Sequence, residues 1–298
     1  MQNLRSKIIA ILHQPDSSYS AEMEAELILL HFFRRQDRRI QDLSTLKLSA
    51  PEATPEIEKD AIEIAQTRAS GIPLQHLLGN QYFFEHEYQV NDSTLIPRPE
   101  TEILVQETLT WIENNIDKTH FKFAELGLGS GIISTEILNR FGDAIGYASE
   151  TNPLAIALAR QNLETILGLD FQTHLHIIEP HSEISGFEVF LKEAPFDLIV
   201  SNPPYLSTQD EVSSEVIQHE PHEALFPKKT NQEENPNYFY KNFLEHVKQL
   251  LSPEGSAFFE VPHERAVDLL NAFQEAGLVQ SKLISDLTGR HRVLQARF

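Results

Sequence analysis

The stretch FKFAELGLGSG at residues 121–131 decides the fold of this 298-residue chain. An apolar run ends at Leu126 and glycines follow at every second position, the pattern of a buried strand that turns tightly into a helix. Ile132 stands where a dinucleotide-binding fingerprint has its third glycine. The loop therefore suits a ligand with a ribose and a charged amino-acid tail better than one with a pyrophosphate. The residues expected to contact this ligand are Glu125, Gly127, Leu128, Gly129, Ser130 and Gly131.

Apolar runs and helical segments alternate on both sides of this stretch. The further apolar runs lie at residues 145–148, 175–178, 198–200 and 257–261, and the helical segments lie near 131–140, 152–167, 237–251 and 263–276. This alternation predicts an α/β fold with a mostly parallel sheet covered on both faces. The runs at 278–285 and 293–298 predict a terminal antiparallel hairpin.

The first 79 residues have a helical pattern throughout. Ser20 can cap one helix, and Thr54-Pro55 can start another, because threonine accepts an orphan amide proton and proline has none to leave unpaired. Residues 81–84 and 88–90 alternate in polarity around a charged turn and predict a β-hairpin. We therefore expect an N-terminal α-helical domain over 1–79, a hairpin linker over 80–96 and an α/β domain over 97–298.

Glu150 follows the second apolar run of the α/β domain, nineteen residues after Gly131. In α/β nucleotide-binding folds a carboxylate at this place accepts hydrogen bonds from ribose hydroxyls. A single acidic residue at a strand end is usually only a surface residue. Its combination with the glycine loop makes Glu150 a predicted ligand contact.

The motif Asn202-Pro203-Pro204-Tyr205 follows the fourth apolar run directly. Its prolines fix the backbone and remove two amide donors, so carbonyl groups remain to accept hydrogen bonds. Asn202 adds a side-chain carbonyl, and Tyr205 adds an aromatic face. We interpret the four residues as a catalytic, substrate-binding clamp for a planar NH₂ group, whose two protons need two acceptors.

The composition excludes several classes of function. Lys plus Arg number 24 against 44 for Asp plus Glu, a net charge of -20, which disfavours a broad grip on a nucleic-acid backbone. There is no cysteine, so disulfides, thiolate metal sites and a cysteine nucleophile are excluded. The thirteen histidines form no convincing ligand set, and we expect no metal. No apolar run reaches about 18 residues, and we expect a soluble, cytoplasmic protein.

Taken together, the glycine loop, Glu150 and Asn202–Tyr205 resemble the motifs of class I S-adenosylmethionine-dependent methyltransferases that act on a planar nitrogen. More narrowly, the chain resembles the bacterial release-factor glutamine methyltransferases (HemK type). The segments that carry this resemblance are IPLQHLLG at 72–79, LIPRPETE at 95–102, IVSNPPY at 199–205 and GRHRV at 289–293.

The resemblance implies a seven-stranded methyltransferase sheet and S-adenosylmethionine as cofactor, with Asn202 contacting both cofactor and substrate. It implies methyl transfer to the glutamine of the Gly-Gly-Gln motif in peptide chain release factors, which modulates translation termination. The helical domain would dock these partners, and the protein would act as a monomer without binding a membrane or nucleic acid. The alternative is a DNA or RNA exocyclic-amine methyltransferase, since such enzymes share the Asn-Pro-Pro-Tyr motif.

Three positions depart from the family pattern. Glu150 replaces the usual aspartate, Phe226-Pro227 opens a polar loop where glycines are common, and Pro262 replaces a glycine after Glu260. The sequence leaves open the effect of the polar loop at 226–236 and the residue that packs on adenine, Ser182 or Phe187. It also leaves open whether the basic cluster of Arg34, Arg35, Arg38 and Arg39 is a docking surface or a solvated helix end.

Overall fold

The structure, a computed structural model, describes residues 1–13, 20–116, 120–180, 186–227 and 235–298. The chain divides into two compact units. A helical unit contains Met1–Asn80 together with Ser214–His219, and an α/β unit contains Gln81–Ser213 and Glu220–Phe298. The division into domains at 1–79, 80–96 and 97–298 stays a prediction. In the structure, Asn80 of the hairpin clusters with the helical unit and the rest of the hairpin with the α/β unit, and a short segment distant in sequence clusters with the N-terminal helices.

The helical unit consists of α1 (Gln2–Leu12), α2 (Ala21–Gln36), α3 (Leu43–Ser49), α4 (Pro55–Ala69) and α5 (Leu74–Leu78). The Ser20 side chain accepts from the amide of Met23, and the Thr54 side chain accepts from the amide of Ile57, so both predicted caps are confirmed. The segment Ser214–His219 is joined to the N-terminal helices by an ion pair. Arg68, only 6% exposed, pairs with Glu24 at 2.9 Å and with Glu215 at 3.0 Å.

The α/β unit begins with a two-stranded hairpin and continues with alternating helices and strands. Its elements are β1 (Asn80–Phe83), β2 (His86–Gln89), α6 (Pro99–Asn115), β3 (Lys122–Leu126), α7 (Ile132–Arg140), β4 (Ile145–Ser149), α8 (Pro153–Leu167), β5 (Leu175–Ile178) and β6 (Phe196–Ser201). After α9 (Ser214–His219) come α10 (His222–Leu225), α11 (Tyr238–Leu250), β7 (Leu251–Glu260), α12 (Ala266–Glu275), β8 (Lys282–Ser285) and β9 (His291–Ala296).

Seven strands form one sheet in the order β5-β4-β3-β6-β7-β9-β8. The first five run parallel, whereas β9 pairs antiparallel with both β7 and β8. Successive residues of β3 pack into different cores: Phe123 joins one apolar cluster and Ala124 joins the other. The predicted class I methyltransferase fold with its terminal hairpin is therefore confirmed.

The strand order positions the site. β3 has β4 on one side and β6 on the other. The strands that follow β3 in sequence therefore extend the sheet first on one side of β3, with β4 and β5, and then on the other, from β6 onward. In open α/β sheets such a switch point creates a crevice at the carboxyl ends of the strands. Leu126 pairs with both Ser149 and Ser201, so the segments that follow β3, β4 and β6 meet at this edge.

No helix within the described ranges is long and apolar enough to cross a lipid bilayer. Within those same ranges, no group of three or more His, Cys, Asp or Glu side chains is placed to hold a metal ion.

Candidate active site

A cleft lies at the carboxyl edge of the sheet, with an empty volume of about 1160 Å³, part of it open to solvent. The strand ends bring the glycine loop, Glu150 and the first clamp residues to its wall. Its lining includes Ser93, Thr94, Thr101, Glu125, Gly127, Leu128, Gly129, Ser130, Ser149, Glu150, Asn152, Asn202, Pro204, Glu223, Phe226 and Pro227.

The glycine loop is held open by backbone hydrogen bonds. The amides of Gly127 and Leu128 both donate to the carbonyl of Ser149, at 2.9 and 3.0 Å. Gly127, Gly129 and Gly131 all have positive φ angles, of 78°, 53° and 83°, which only glycine adopts without strain. Gly131 also lacks room, because a β-carbon built on it would lie 3.2 Å from that of Ala159. It therefore packs against α8 rather than lining the cleft.

One buried asparagine forms hydrogen bonds with both the glycine loop and the hairpin. Asn162 on α8 is 1% exposed. Its Nδ2 donates to the carbonyls of Ser130 and Gln89, at 2.9 and 3.0 Å, and its Oδ1 accepts from the Gln89 amide at 2.8 Å. The side chain thus joins strand β2 of the hairpin to the glycine loop.

Glu125 lies at the end of β3 and is fully buried. Its Oε2 accepts from the amide of Ser134 at 3.0 Å and from the Ser134 hydroxyl. Its Oε1 is also buried, and no described residue bonds to it. Burial raises the pKa of this carboxyl to about 8, although the Ser134 hydrogen bonds work in the opposite direction. The Ser134 amide in the first turn of α7 is therefore already bonded to the Glu125 carboxyl and is not free to bind a pyrophosphate.

Glu150 follows β4 and uses both oxygens on backbone amides. Oε2 accepts from Gly129 at 3.0 Å, and Oε1 accepts from Thr151 at 2.7 Å and Asn152 at 2.9 Å. A carboxylate offers about four acceptor positions, so capacity remains for a ligand hydroxyl. The methylene that distinguishes Glu150 from aspartate carries the carboxylate back to the glycine loop.

The clamp motif follows β6, but its four residues have different surroundings. Asn202 and Pro204 line the cleft, whereas Pro203 is buried and, like Tyr205, is outside the lining. The Tyr205 hydroxyl donates to Glu260 at 3.2 Å, and its carbonyl accepts from the Arg265 guanidinium. Of the four residues, it is therefore Asn202 and Pro204 that can present acceptors to a ligand in the cleft.

A chain of hydrogen bonds that no sequence motif indicates runs from Asn202 to Glu260. The Nδ2 of Asn202 donates to the Thr101 hydroxyl at 3.2 Å, and this hydroxyl donates to Glu260 Oε2 at 2.7 Å. Thr101 belongs to the segment LIPRPETE, whose identity pointed to a family but not to this contact. Burial raises the pKa of Glu260 to about 7, against the hydrogen bonds from Thr101 and Tyr205, which lower it.

Two ion pairs hold the segment LIPRPETE in place. Glu100 of LIPRPETE pairs with Arg292 of GRHRV at 3.2 Å. Arg98 pairs with the buried Glu220 at 2.5 Å, and Glu220 also accepts from the amide of Ile96 at 3.1 Å. These pairs join LIPRPETE, which also contributes Thr101 to the cleft wall, to residues far away in the sequence.

The cleft wall is acidic. Glu125, Glu150 and Glu223 line it, and the described lining residues include no lysine, arginine or histidine. A site of this sign favours a cationic ligand and disfavours phosphate groups.

Comparison with known proteins agrees with this geometry. Three curated proteins named release factor glutamine methyltransferase match most of the chain. Those of Flavobacterium psychrophilum and Bradyrhizobium diazoefficiens are both 30% identical, over 82% and 86% of this chain and 84% and 83% of their own lengths. That of Bacillus anthracis is 27% identical over 92% of both chains. The chain belongs to this family.

Two further matches extend the comparison. A family model described as Eco57I restriction-modification methylase matches residues 56–275 of the methyltransferase. A protein of Rickettsia typhi named bifunctional methyltransferase is 29% identical over 92% of this chain, and the chain spans 53% of its length.

S-adenosylmethionine, the cofactor implied by the fold, fits the residues of this methyltransferase. Its ammonium group needs a buried acceptor, and Glu125 Oε1 is one without a partner in the described part of the chain. Its ribose needs an acidic acceptor near the glycine loop, and Glu150 is bonded to that loop. Its positive sulfonium matches a wall with three carboxyl groups.

The remaining predicted positions have separate outcomes. Phe187 is fully buried, with its ring 5.3 Å from that of Phe243 and 5.8 Å from that of Phe259. The suggestion that it packs on adenine is therefore wrong, because aromatic core residues cover it. Ser182 and residues 228–234 of the polar loop lie outside the described residues. Pro262 begins a short 3-10 helix at φ -67°, a conformation natural to proline, so its replacement of glycine causes no strain.

Proposed function

We propose that this methyltransferase transfers the methyl group of S-adenosylmethionine to the side-chain amide nitrogen of the glutamine in the Gly-Gly-Gln motif of peptide chain release factors. The names of its relatives support this substrate. The observation that carries the proposal is the position of Asn202, at the end of β6 on the wall of an acidic cleft. The site thus combines a place for a cationic cofactor with an acceptor for an NH₂ group.

In this proposal the cofactor is bound by residues at the end of β3 and in the segments that follow β3 and β4. Glu125 would hold the ammonium group, Glu150 would hold the ribose, and residues 127–130, which line the cleft, would contact the rest of the ligand. When bound, S-adenosylmethionine supplies an electrophilic methyl group on a positively charged sulfur. Asn202 contributes its position next to the loop: a β-carbon built on Gly127 would lie 3.9 Å from the carbonyl oxygen of Asn202.

Asn202 has the main task in substrate orientation. An amide nitrogen is a poor nucleophile because its lone pair is delocalised into the carbonyl group. The Oδ1 of Asn202 and a neighbouring backbone carbonyl would accept hydrogen bonds from its two N–H groups and direct the lone pair toward the methyl group. Catalysis then consists of positioning and electrostatic stabilisation. No strong base is needed before attack, since a protonated alkyl amide readily loses its proton afterwards.

Several further features of the proposal concern the partner. Release factors act in translation, which places the proposed reaction in the cytoplasm.

Glutamine is a common residue, so selection of one glutamine needs protein surface beyond the clamp. The basic cluster of the helical unit is the proposed second contact, because Arg35 and Arg38 are both exposed. Arg39 is engaged by Asp37 at 2.7 Å. We propose that the protein acts as a monomer.

A methyl-transfer assay tests the proposal. The protein is incubated with methyl-labelled S-adenosylmethionine and, separately, purified release factors, tRNA, rRNA and DNA. We expect label only in the release factors, on the Gly-Gly-Gln glutamine when the product is digested and sequenced by mass spectrometry. Asn202→Ala should abolish transfer while cofactor affinity stays within a few-fold, and Asn114→Ala, on an exposed part of α6, is the matched control. Label in nucleic acid alone would instead establish the exocyclic-amine alternative.

A further inference from the structure

The two ends of the Asn202 carboxamide have nearly the same shape but opposite hydrogen-bonding roles. The oxygen accepts, whereas the nitrogen donates twice. Only the orientation with Oδ1 toward the cleft can accept a hydrogen bond from a substrate NH₂ group. The site therefore needs a device that decides between two nearly isosteric orientations.

We infer that Thr101, held by Glu260, is a positioning residue that fixes the carboxamide of Asn202 with its oxygen toward the substrate. This inference rests on the proposed amide substrate. The Thr101 hydroxyl lies 2.7 Å from Glu260 Oε2 and 3.2 Å from Asn202 Nδ2. A hydroxyl has one proton, and an ionised carboxylate can only accept it. The Thr101 oxygen is then left as an acceptor, so the end of Asn202 that faces it must be the donor.

Glu260 is itself firmly held. It lies at the end of β7, is 3% exposed, and pairs with Val293 of β9. Its other carboxylate oxygen, Oε1, accepts from the Tyr205 hydroxyl at 3.2 Å. Its backbone carbonyl accepts from the Tyr240 hydroxyl at 2.7 Å. One carboxylate therefore directs the hydroxyls of both Thr101 and Tyr205, and through them the two ends of the clamp motif.

The direction of the hydrogen bonds that link Asn202, Thr101 and Glu260 depends on the ionisation of Glu260. A protonated carboxyl can donate, and the Thr101 hydroxyl would then be free to turn its own proton toward Asn202 and favour the reversed amide. Burial raises the pKa of Glu260 to about 7. The polar and charged groups facing it are Thr101 and Glu100 on α6, Tyr205 after β6, Tyr240 on α11 and Arg292 on β9. Glu100 raises and Arg292 lowers its pKa.

Three threonine variants separate the hydroxyl from the shape of the side chain. Thr101→Val removes the hydroxyl and keeps the volume, and Thr101→Ser keeps the hydroxyl. Thr108→Val is the matched control, because Thr108 lies on the same helix, is fully buried, and donates only to the Leu104 carbonyl. We expect kcat for release factor to fall about 10-fold in Thr101→Val, the effect of one orienting hydrogen bond. The cofactor affinity of Thr101→Val should stay within about 3-fold of the wild-type value. The kcat values of Thr101→Ser and Thr108→Val should also stay within about 3-fold of the wild-type kcat.

Glu260→Gln tests the other end of the chain. The wild-type kcat should fall as the pH decreases below about 7, where Glu260 gains its proton. The glutamine variant cannot titrate, so this limb of the pH profile should disappear. A limb that persists unchanged in Glu260→Gln would overturn the role of this carboxylate.

A spectroscopic measurement keeps this inference independent of the proposed substrate. The side-chain amide signal of Asn202, assigned by its loss in Asn202→Ala, is followed by ¹H–¹⁵N NMR. Slow exchange of its protons with water is expected in wild type and Thr101→Ser, and fast exchange in Thr101→Val. If wild type methylates no release factor, the proposed function fails while this measurement still decides the orientation. Equal kcat in Thr101→Val and Thr108→Val, equal impairment of Thr101→Ser and Thr101→Val, or equal exchange in all variants would each overturn the inference.

Discussion

Replacing Glu125 by glutamine should abolish a proton release that accompanies cofactor binding to the wild-type methyltransferase. Glutamine keeps the shape of the side chain and an oxygen that can accept from Ser134. It cannot titrate. In the free protein, burial raises the pKa of Glu125 to about 8, so at pH 7 this carboxyl is mostly protonated. An ammonium group placed against its unpartnered oxygen favours the ionised form.

The size of the release follows from these pKa values. An adjacent cation lowers the pKa of a carboxyl by about 1–3 units, and a shift of about 2 units takes Glu125 from about 8 to roughly 6. At pH 7 the protonated fraction then falls from about 0.9 to about 0.1. Binding should therefore release about 0.8 proton from wild type and almost none from Glu125→Gln.

Isothermal titration calorimetry measures this number directly. The apparent binding enthalpy at pH 7 is plotted against the ionisation enthalpy of several buffers, and the slope gives the protons exchanged. S-adenosylhomocysteine, which keeps the ammonium group but lacks the sulfonium charge, should give the same slope as the cofactor. Equal slopes for wild type and Glu125→Gln would refute the assignment of Glu125 to the ammonium group.

Three other outcomes are expected. Glu150→Ala should weaken cofactor binding by about 1.5–3 kcal/mol, the scale of a charged hydrogen bond, whereas an unchanged dissociation constant would place the ribose acceptor elsewhere. Arg35→Glu combined with Arg38→Glu should raise KM for intact release factor and leave kcat/KM for a short Gly-Gly-Gln peptide unchanged; equal effects on both substrates would contradict docking by the helical unit. The free energy of unfolding of wild type should fall as pH rises from about 5 to about 8, because Glu125 ionises near its ordinary value of 4.5 when unfolded but holds its proton to about 8 when folded. Denaturant titrations at several pH values should show that the free energy of unfolding of Glu125→Gln depends less steeply on pH over this range.

The fold was largely predictable because its signals are local. The strands at β3, β4 and β5 were bounded to within one residue, since apolar runs end at glycine or polar residues there. β7 begins at Leu251, well before the predicted 257. The prediction placed its start too late because residues 252–255, SPEG, have the composition of a turn. Its strand geometry there depends on pairing across a register shift between Phe196 and Leu198, which no local pattern contains.

The site was predictable only where a motif lies at the end of one strand. The glycine loop and Asn202 belong to this class. The contact of Thr101 with Glu260 joins residues 159 positions apart, and only the completed sheet brings them together. Tyr205 illustrates a related limit: its identity was evident from the motif, but the direction of its hydroxyl depends on Glu260, at the end of another strand.

The support that Asn162 gives to the hairpin and the glycine loop has a consequence for how the sequence can diverge. At Gln89 and Ser130 it touches only backbone atoms, so those two positions can change their side chains freely as far as this contact is concerned. Position 162 has no such freedom. Aspartate would place an oxygen against two carbonyl oxygens, and glutamine would be one methylene too long for a side chain that is 1% exposed. Among relatives that keep this arrangement, we expect side-chain variation at 89 but a fixed asparagine at 162, while position 130 is still constrained by the cleft that it lines.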